Sequence, residues 1–192
     1  MARQLRNMPQ GMAQHVIQRG NNRQACFVDD FDRHAYLSWL NKYALKYQVH
    51  IHAWVLMSNH VHILCTPHSQ DGISKMMQSL GRAYVLYFNR KHERTGTLWE
   101  GRFKASAVDT QHYLWVVSHY IEMNPVRAEM VPKPVDYKWS SYHTNALGKP
   151  SNLITPHPLY EAIGKDKQSR LEAYQAIFEE LGSESIDSDP IS

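Results

Sequence analysis

The chain has 192 residues, 43% of them hydrophobic, with 21 Lys and Arg against 18 Asp and Glu for a formal charge of +3. That length suits one domain with an extension and a real core, and a charge so nearly balanced makes its distribution matter more than its total. Two cysteines, Cys26 and Cys65, exclude a disulfide framework; no run reaches the ~18 apolar residues of a membrane span; and the opening MARQLRNMPQGMAQH is basic but lacks the apolar core of a secretory signal. A cytoplasmic protein without a membrane partner is expected.

Ala13 to Arg19 alternates and ends at the turn cluster Gly20-Asn21-Asn22, which predicts a first strand. Asp29 or Asp30 can cap the helix that follows, where Tyr36, Trp39, Leu40, Tyr43, Ala44 and Tyr47 recur at helical spacing.

Val49 to Pro67 (VHIHAWVLMSNHVHILCTP) then predicts a hairpin. A three-residue turn at Met57-Ser58-Asn59 sets His50, His52, Trp54, Leu56, His60, His62 and Leu64 on one face, with Ile51, Ala53, Val55, Val61, Ile63 and Cys65 on the other. A two-residue turn mixes the two sets, so the cleaner partition is preferred. His60 and His62 thus lie side by side on one surface while Val61 anchors between them.

A second helix is expected from Ile73 to about His92, with Ile73, Met76, Met77, Leu80, Ala83 or Tyr84, Tyr87 and Phe88 as its stripe. Gly101 to Val108 reads as the fourth strand. From Arg82 to Lys104 the chain carries Arg82, Arg90, Lys91, Arg94, Arg102 and Lys104, opposed only by Glu93 and Glu100, with Tyr84, Tyr87, Phe88, Trp99 and Phe103 interleaved. Cations for phosphates beside rings for unpaired bases suit single-stranded nucleic acid; a solvated helix face with its rings turned inward is the alternative. Asp109 or Thr110 caps a third helix from Gln111 to about Met123, which Pro125 is expected to end. Tyr113, Val116, Val117, Tyr120 and Asn124 share a face there, so a phenol and a carboxamide can project together near the negative end of the helix.

The order βαββαβ predicts an α+β fold: a ferredoxin-like core, an antiparallel four-stranded sheet with helices on one face and the histidine face open, plus a C-terminal helical extension. Residues 1–145 are expected to form the main domain. Residues 146–182 form the extension, with a helix from Lys165 to Leu181, and 183–192 a disordered acidic tail.

The segments HVIQRGNNR, AWVLMSNHVHIL, YFNRKHERTGTLWEGRFKA, YIEMNPVRAEMV and DYKWSSY, in this order, resemble the single-tyrosine HUH transposases, most closely the REP-associated tyrosine transposases of bacteria. The resemblance spans roughly His15 to Tyr142. It implies that His60 and His62 bind a divalent ion (Mg²⁺ or Mn²⁺), that Asn124 can complete the shell, and that Tyr120 is the nucleophile. It further implies site-specific cleavage and rejoining of single-stranded DNA through a 5′-phosphotyrosine, on palindromic REP-like hairpins. Arg90, Lys91, Arg94, Arg102, Lys104 and Arg127 are the candidate phosphate contacts, and Trp99, Trp139 and Tyr142 the candidate base or hairpin contacts. Docking of the C-terminal segment is the other reading of Trp139 and Tyr142. Relatives include monomers and homodimers. The competing readings are a hairpin-DNA binder that does not cleave, and a structural zinc protein using His50, His52, His60, His62, Cys65 and His68.

Overall fold

In the computed structural model, which describes residues 9–183, strands β1 (Ala13–Arg19), β2 (Val49–Leu56), β3 (His60–Pro67) and β4 (Lys104–Val108) form one sheet in the order β2-β3-β1-β4. Every neighbouring pair is antiparallel, so the expected ferredoxin-like core is present. Helices α1 (Asp30–Lys46) and α2 (Gly72–Lys91) pack together over one face. Asp29 caps α1: its carboxylate accepts from the Asp32 N–H while that of Asp32 accepts from the Asp29 N–H. Tyr36, Leu40, Leu80, Tyr84 and Phe88 are buried here with Val16, Val61 and Ile63 of the sheet.

The hairpin departs from expectation in two compensating ways. The Met57 N–H donates to the His60 carbonyl at 2.9 Å, so the turn is Ser58-Asn59 and Val55, not Trp54, lies opposite His62. The register then shifts between Ile51 and Ala53, which makes His52 a bulge residue and sets His50 opposite Thr66. Residues opposite one another share a face. His50 therefore rejoins the side of His60, His62 and Leu64, and His52 reaches Thr66 Oγ1 on that side at 2.8 Å. Trp54 and Leu56 fall on the side of Val61 and Ile63. Residues 53 to 56 are buried and apolar on both faces, so their parity could not be read from the sequence.

The histidine face is not open. Helix α3 (Gln111–Arg127) crosses it, packing on β2 and β3, and Leu114, Trp115 and Ser118 share a narrow crevice with His52 and Leu64. Pro125 sits inside α3 rather than ending it. So close to the helix end, its missing N–H forgoes one bond, and the last turn closes through Ala128 N–H to Asn124 O and Met130 N–H to Pro125 O. The buried stripe is Leu114, Val117, Ser118, Ile121 and Pro125, which leaves Tyr113 and Tyr120 half-buried at its margin.

The C-terminal segment seals the outer edge of β2. Leu56 N–H donates to Trp139 O, Ser141 N–H to Trp54 O and Thr155 N–H to Ile51 O. Two short helices, α4 (Tyr142–Asn145) and α5 (Pro158–Ala162), precede α6 (Lys167–Ser183), which packs on α3. The expected tail lies, beyond Ser183, outside the described residues.

At the centre of this packing is Glu122, fully buried on α3. Its carboxylate accepts from Ser141 Oγ at 2.5 Å, Asn145 Nδ2 at 2.8 Å and Tyr174 Oη at 2.9 Å. Burial lifts its pKa to about 7 against the pull of those donors. A carboxyl held above its unfolded value adds stability that is complete below about pH 4.3 and lost as pH rises through about 7. Burial pushes His52 and His119 down to about 4, so their contribution runs the other way and is lost on acidification. Glu122→Gln isolates the first effect. The stability advantage of the wild type over Glu122→Gln should shrink from pH 5 to pH 8, by on the order of 3 kcal/mol at most. Urea unfolding at both pH values measures it, and a gap independent of pH contradicts the assignment.

Candidate functional site

The segment RGNNR builds one wall of the site. Gly20 N–H donates to Asn59 O at 2.8 Å, and Cys26 N–H to Ser58 O at 2.9 Å, pinning the hairpin turn to the loop after β1. A Cβ on Gly20 would stand 2.2 Å from Gln24 O, so glycine is required by this close approach. Asn59 donates through Nδ2 to Arg23 O at 3.1 Å, which turns its Oδ1 toward His60 Nδ1 at 2.6 Å. The amide oxygen can only accept, so His60 carries its proton on Nδ1.

His62 is nearly fully buried, and its Nδ1 lies 2.9 Å from Nε2 of the fully buried His15. Burial holds the His62 pKa well below the ordinary histidine value, with the positive fields of His15, His60 and Arg19 acting the same way. The ring is therefore neutral, as an imidazole ligand must be. The His60 and His62 rings stand 4.9 Å apart at 79°.

Tyr120 comes down from α3 onto this pair. Its ring meets His62 edge-on at 5.5 Å and His15 at 6.0 Å, while the Arg127 guanidinium lies 5.2 Å from its centre. Asn124 is buried one turn further along the helix. The structure thus brings His60, His62 and Tyr120 together within one chain. The residues fit a divalent ion: the sheet holds two imidazoles as a pair, one neutral by burial and the other with its Nδ1 already committed to an amide oxygen. Among the described residues no three His, Cys, Asp or Glu side chains converge on a metal position, so remaining ligands would come from Asn124 and substrate oxygens. Cys65 lies opposite Ile51 and Gln14, on the α1/α2 side of the sheet, away from the imidazoles. His52 is spent between Thr66 Oγ1 and Thr155 O, and His68 pairs with His50 at 3.0 Å, so the members of the zinc set do not converge on one position among the described residues.

The basic residues divide by position. Opposite residues place Lys104 in one row with Ile17 and His62, and Arg19 beside His60, so both lie on the histidine side of the sheet. Both are exposed. Arg19 was missed in the sequence, although β1 alternation with His15 and Ile17 carries it to this face. Arg90 and Arg102 are exposed elsewhere, Arg102 on a groove beside α2 with Trp99 and Phe103. Two cations have partners within the fold. Lys91 spans Asp29 at 2.7 Å and Asp32 at 2.8 Å, and Arg94 donates to Gln24 at 2.8 Å while lying over Phe88. The aromatics have partners as well. Trp99 is buried against Tyr36 and Tyr84. Trp139 is buried against His34 and Arg33, and Tyr142 packs on Phe178. Trp139 and Tyr142 dock the C-terminal segment.

A family model described as IS200-like transposase matches residues 10–124, more than half of the chain. A solved REP-associated tyrosine transposase bound to a REP hairpin is 19% identical, with a TM-score of 0.62 over 82% of this chain and 93% of that one. At that identity the likeness is one of fold. A Deinococcus radiodurans R1 protein described as a candidate transposase is 20% identical, with a TM-score of 0.44 over 63% of this chain and 96% of that one. No curated protein sequence matches the chain.

The division of the cations has a direct test. Lys91→Met takes the lysine partner from the buried Asp32 and leaves its contact with His92 Nε2, and it should cost about 1–3 kcal/mol of stability. Arg102→Met should stay within about 0.5 kcal/mol of wild type. Thermal melts decide, and equal losses for the two contradict the division.

Proposed function

The chain belongs to the IS200-like transposase family, and from that premise we propose that it cuts and rejoins single-stranded DNA through a 5′-phosphotyrosine on Tyr120. The observation that carries this reading is the edge-on approach of the Tyr120 ring to His62 at 5.5 Å. A phenol, a pair of imidazoles and a flanking guanidinium are together what transesterification of a phosphodiester requires.

In this reading Tyr120 Oη attacks phosphorus, the bond from phosphorus to the 3′ oxygen breaks, and the phenolic proton ends on that oxygen as a free 3′-hydroxyl. No water is consumed, so a second 3′-hydroxyl can attack the phosphotyrosine, restore a phosphodiester and return the proton to the phenol. His60 and His62, with Asn124, would hold Mg²⁺ or Mn²⁺. A bound ion supplies charge withdrawal from the scissile phosphate. Imidazole favours Mn²⁺ of the two. Arg127 orients the phenol from its ring face, and Arg19 and Lys104 receive phosphates on either side of it.

The substrate is a hairpin with a single-stranded flank, a reading supported by the fold shared with a transposase solved on a REP hairpin. A splayed strand can lay one phosphate under Tyr120, whereas a stiff duplex resists the bend. Residues 1–145 then form the catalytic unit, with 146–182 bracing α3, and the work on DNA is cytoplasmic.

The test is incubation of the full chain with end-labelled single-stranded repeats and Mn²⁺, resolved on a denaturing gel. Wild type should give a protein-linked label. Tyr120→Phe should bind the hairpin as wild type does and give no label. His60→Ala, His62→Ala and EDTA should each abolish cleavage while sparing most of the binding. Hairpin binding by a wild type that never forms an adduct would reduce the protein to a DNA binder. Separately, Lys104→Ala or Arg127→Ala should weaken binding and lower the slope of log K against log salt by about one each; Lys91→Ala should leave that slope unchanged.

A further inference from the structure

An imidazole binds an ion through a nitrogen lone pair, so the other ring nitrogen must carry the proton, and something must accept that proton if the ring is buried. His60 meets this condition through Asn59 Oδ1. For His62 the group in place is another histidine. His15 Nε2 stands 2.9 Å from His62 Nδ1, and the two rings are 5.1 Å apart at 33°. The placement follows from the sheet register. His15 lies opposite Leu64 on β1, and its diagonal neighbour on β3, on the same face, is His62. His15 is fully buried, and neither ring can exchange this bond for one to bulk water.

Of two neutral imidazoles in hydrogen-bond contact, one donates. If His15 donated, His62 would carry its one ring proton on Nε2 and could not face an ion. If His62 donates from Nδ1, its Nε2 holds the lone pair. The same His15 ring lies edge-on to Tyr120 at 6.0 Å, so it backs the nucleophile as well as the ligand.

We infer that His15 is a positioning residue: its Nε2 accepts the Nδ1 proton of His62, which fixes the tautomer and ring plane that present His62 Nε2 to a divalent ion beneath Tyr120. This rests on the metal reading of His60 and His62 given above. It assigns to the first strand a part in the site that the His-x-His pair alone does not reveal.

The experiment uses the full chain and Mn²⁺ alone, with affinity read from the free-ion signal in electron paramagnetic resonance. His15→Leu removes the acceptor at similar volume and should weaken Mn²⁺ binding 10- to 100-fold. His15→Gln offers an amide oxygen near the position of Nε2 and should recover most of that loss. Both variants should melt cooperatively and bind hairpin DNA in EDTA as wild type does. In nitrogen-15 spectra of the wild-type ring, His62 should carry its proton on Nδ1. A folded His15→Leu with wild-type Mn²⁺ affinity overturns the inference, and so does a wild-type His62 protonated on Nε2. The second readout decides even if His15→Leu fails to fold. His62→Ala separates the two levels: unchanged Mn²⁺ affinity there removes the metal site itself, whereas a loss there without a loss in His15→Leu removes only the role of His15.

Discussion

Helix α3 lies across the histidine face of the sheet, and the Glu122 carboxylate fixes it there. Three donors converge on that group from the strand-edge cap (Ser141), from α4 (Asn145) and from α6 (Tyr174). A carboxylate without partners in this position would cost several kcal/mol, and donors without a carboxylate would be left unsatisfied in the core. The network therefore admits one placement of α3 along the sheet. Tyr120 lies two residues earlier on the same helix, at the margin of the buried stripe. Its approach to His62 is thus set by contacts made on another side of α3, against the C-terminal segment.

The same logic explains what DYKWSSY does in the fold. Tyr137 donates to Leu56 O, Trp139 accepts from Leu56 N–H, and Ser141 both pairs with Trp54 and reaches Glu122. The motif closes an exposed strand edge and ties that edge to α3. RGNNR does the comparable job at the hairpin turn, which it holds while orienting Asn59 toward His60. Two motifs far apart in the chain support the imidazole pair and the phenol respectively.

Much of this was legible in the sequence, because local signals and global fold agree. The bounds of β1, the capping of α1 and the stripe of α2 follow from alternation, from Asp29 and from helical spacing. His60 and His62 share a face because a strand has period two. What failed did so for identifiable reasons. Ala53 to Leu56 is apolar throughout, so neither the turn length nor the bulge at His52 left a pattern to read. Pro125 signals a helix end, yet it sits where the lost hydrogen bond matters least. The partners of Lys91 and Arg94, which are Asp29, Asp32 and Gln24, are remote in sequence and left no local sign. His15 carried a readable cue, its parity with Ile17 and Arg19, but its partner is 47 residues away. Long-range pairing decides such cases, and one sequence does not contain it.

The proposed chemistry turns on which atom becomes joined to DNA. Wild-type protein incubated with a single-stranded repeat and Mn²⁺, digested and sequenced by tandem mass spectrometry, should yield one nucleotide-modified peptide, with the 5′ phosphate on Tyr120. A modification on Tyr113, or cleaved DNA with no modified peptide, would contradict it.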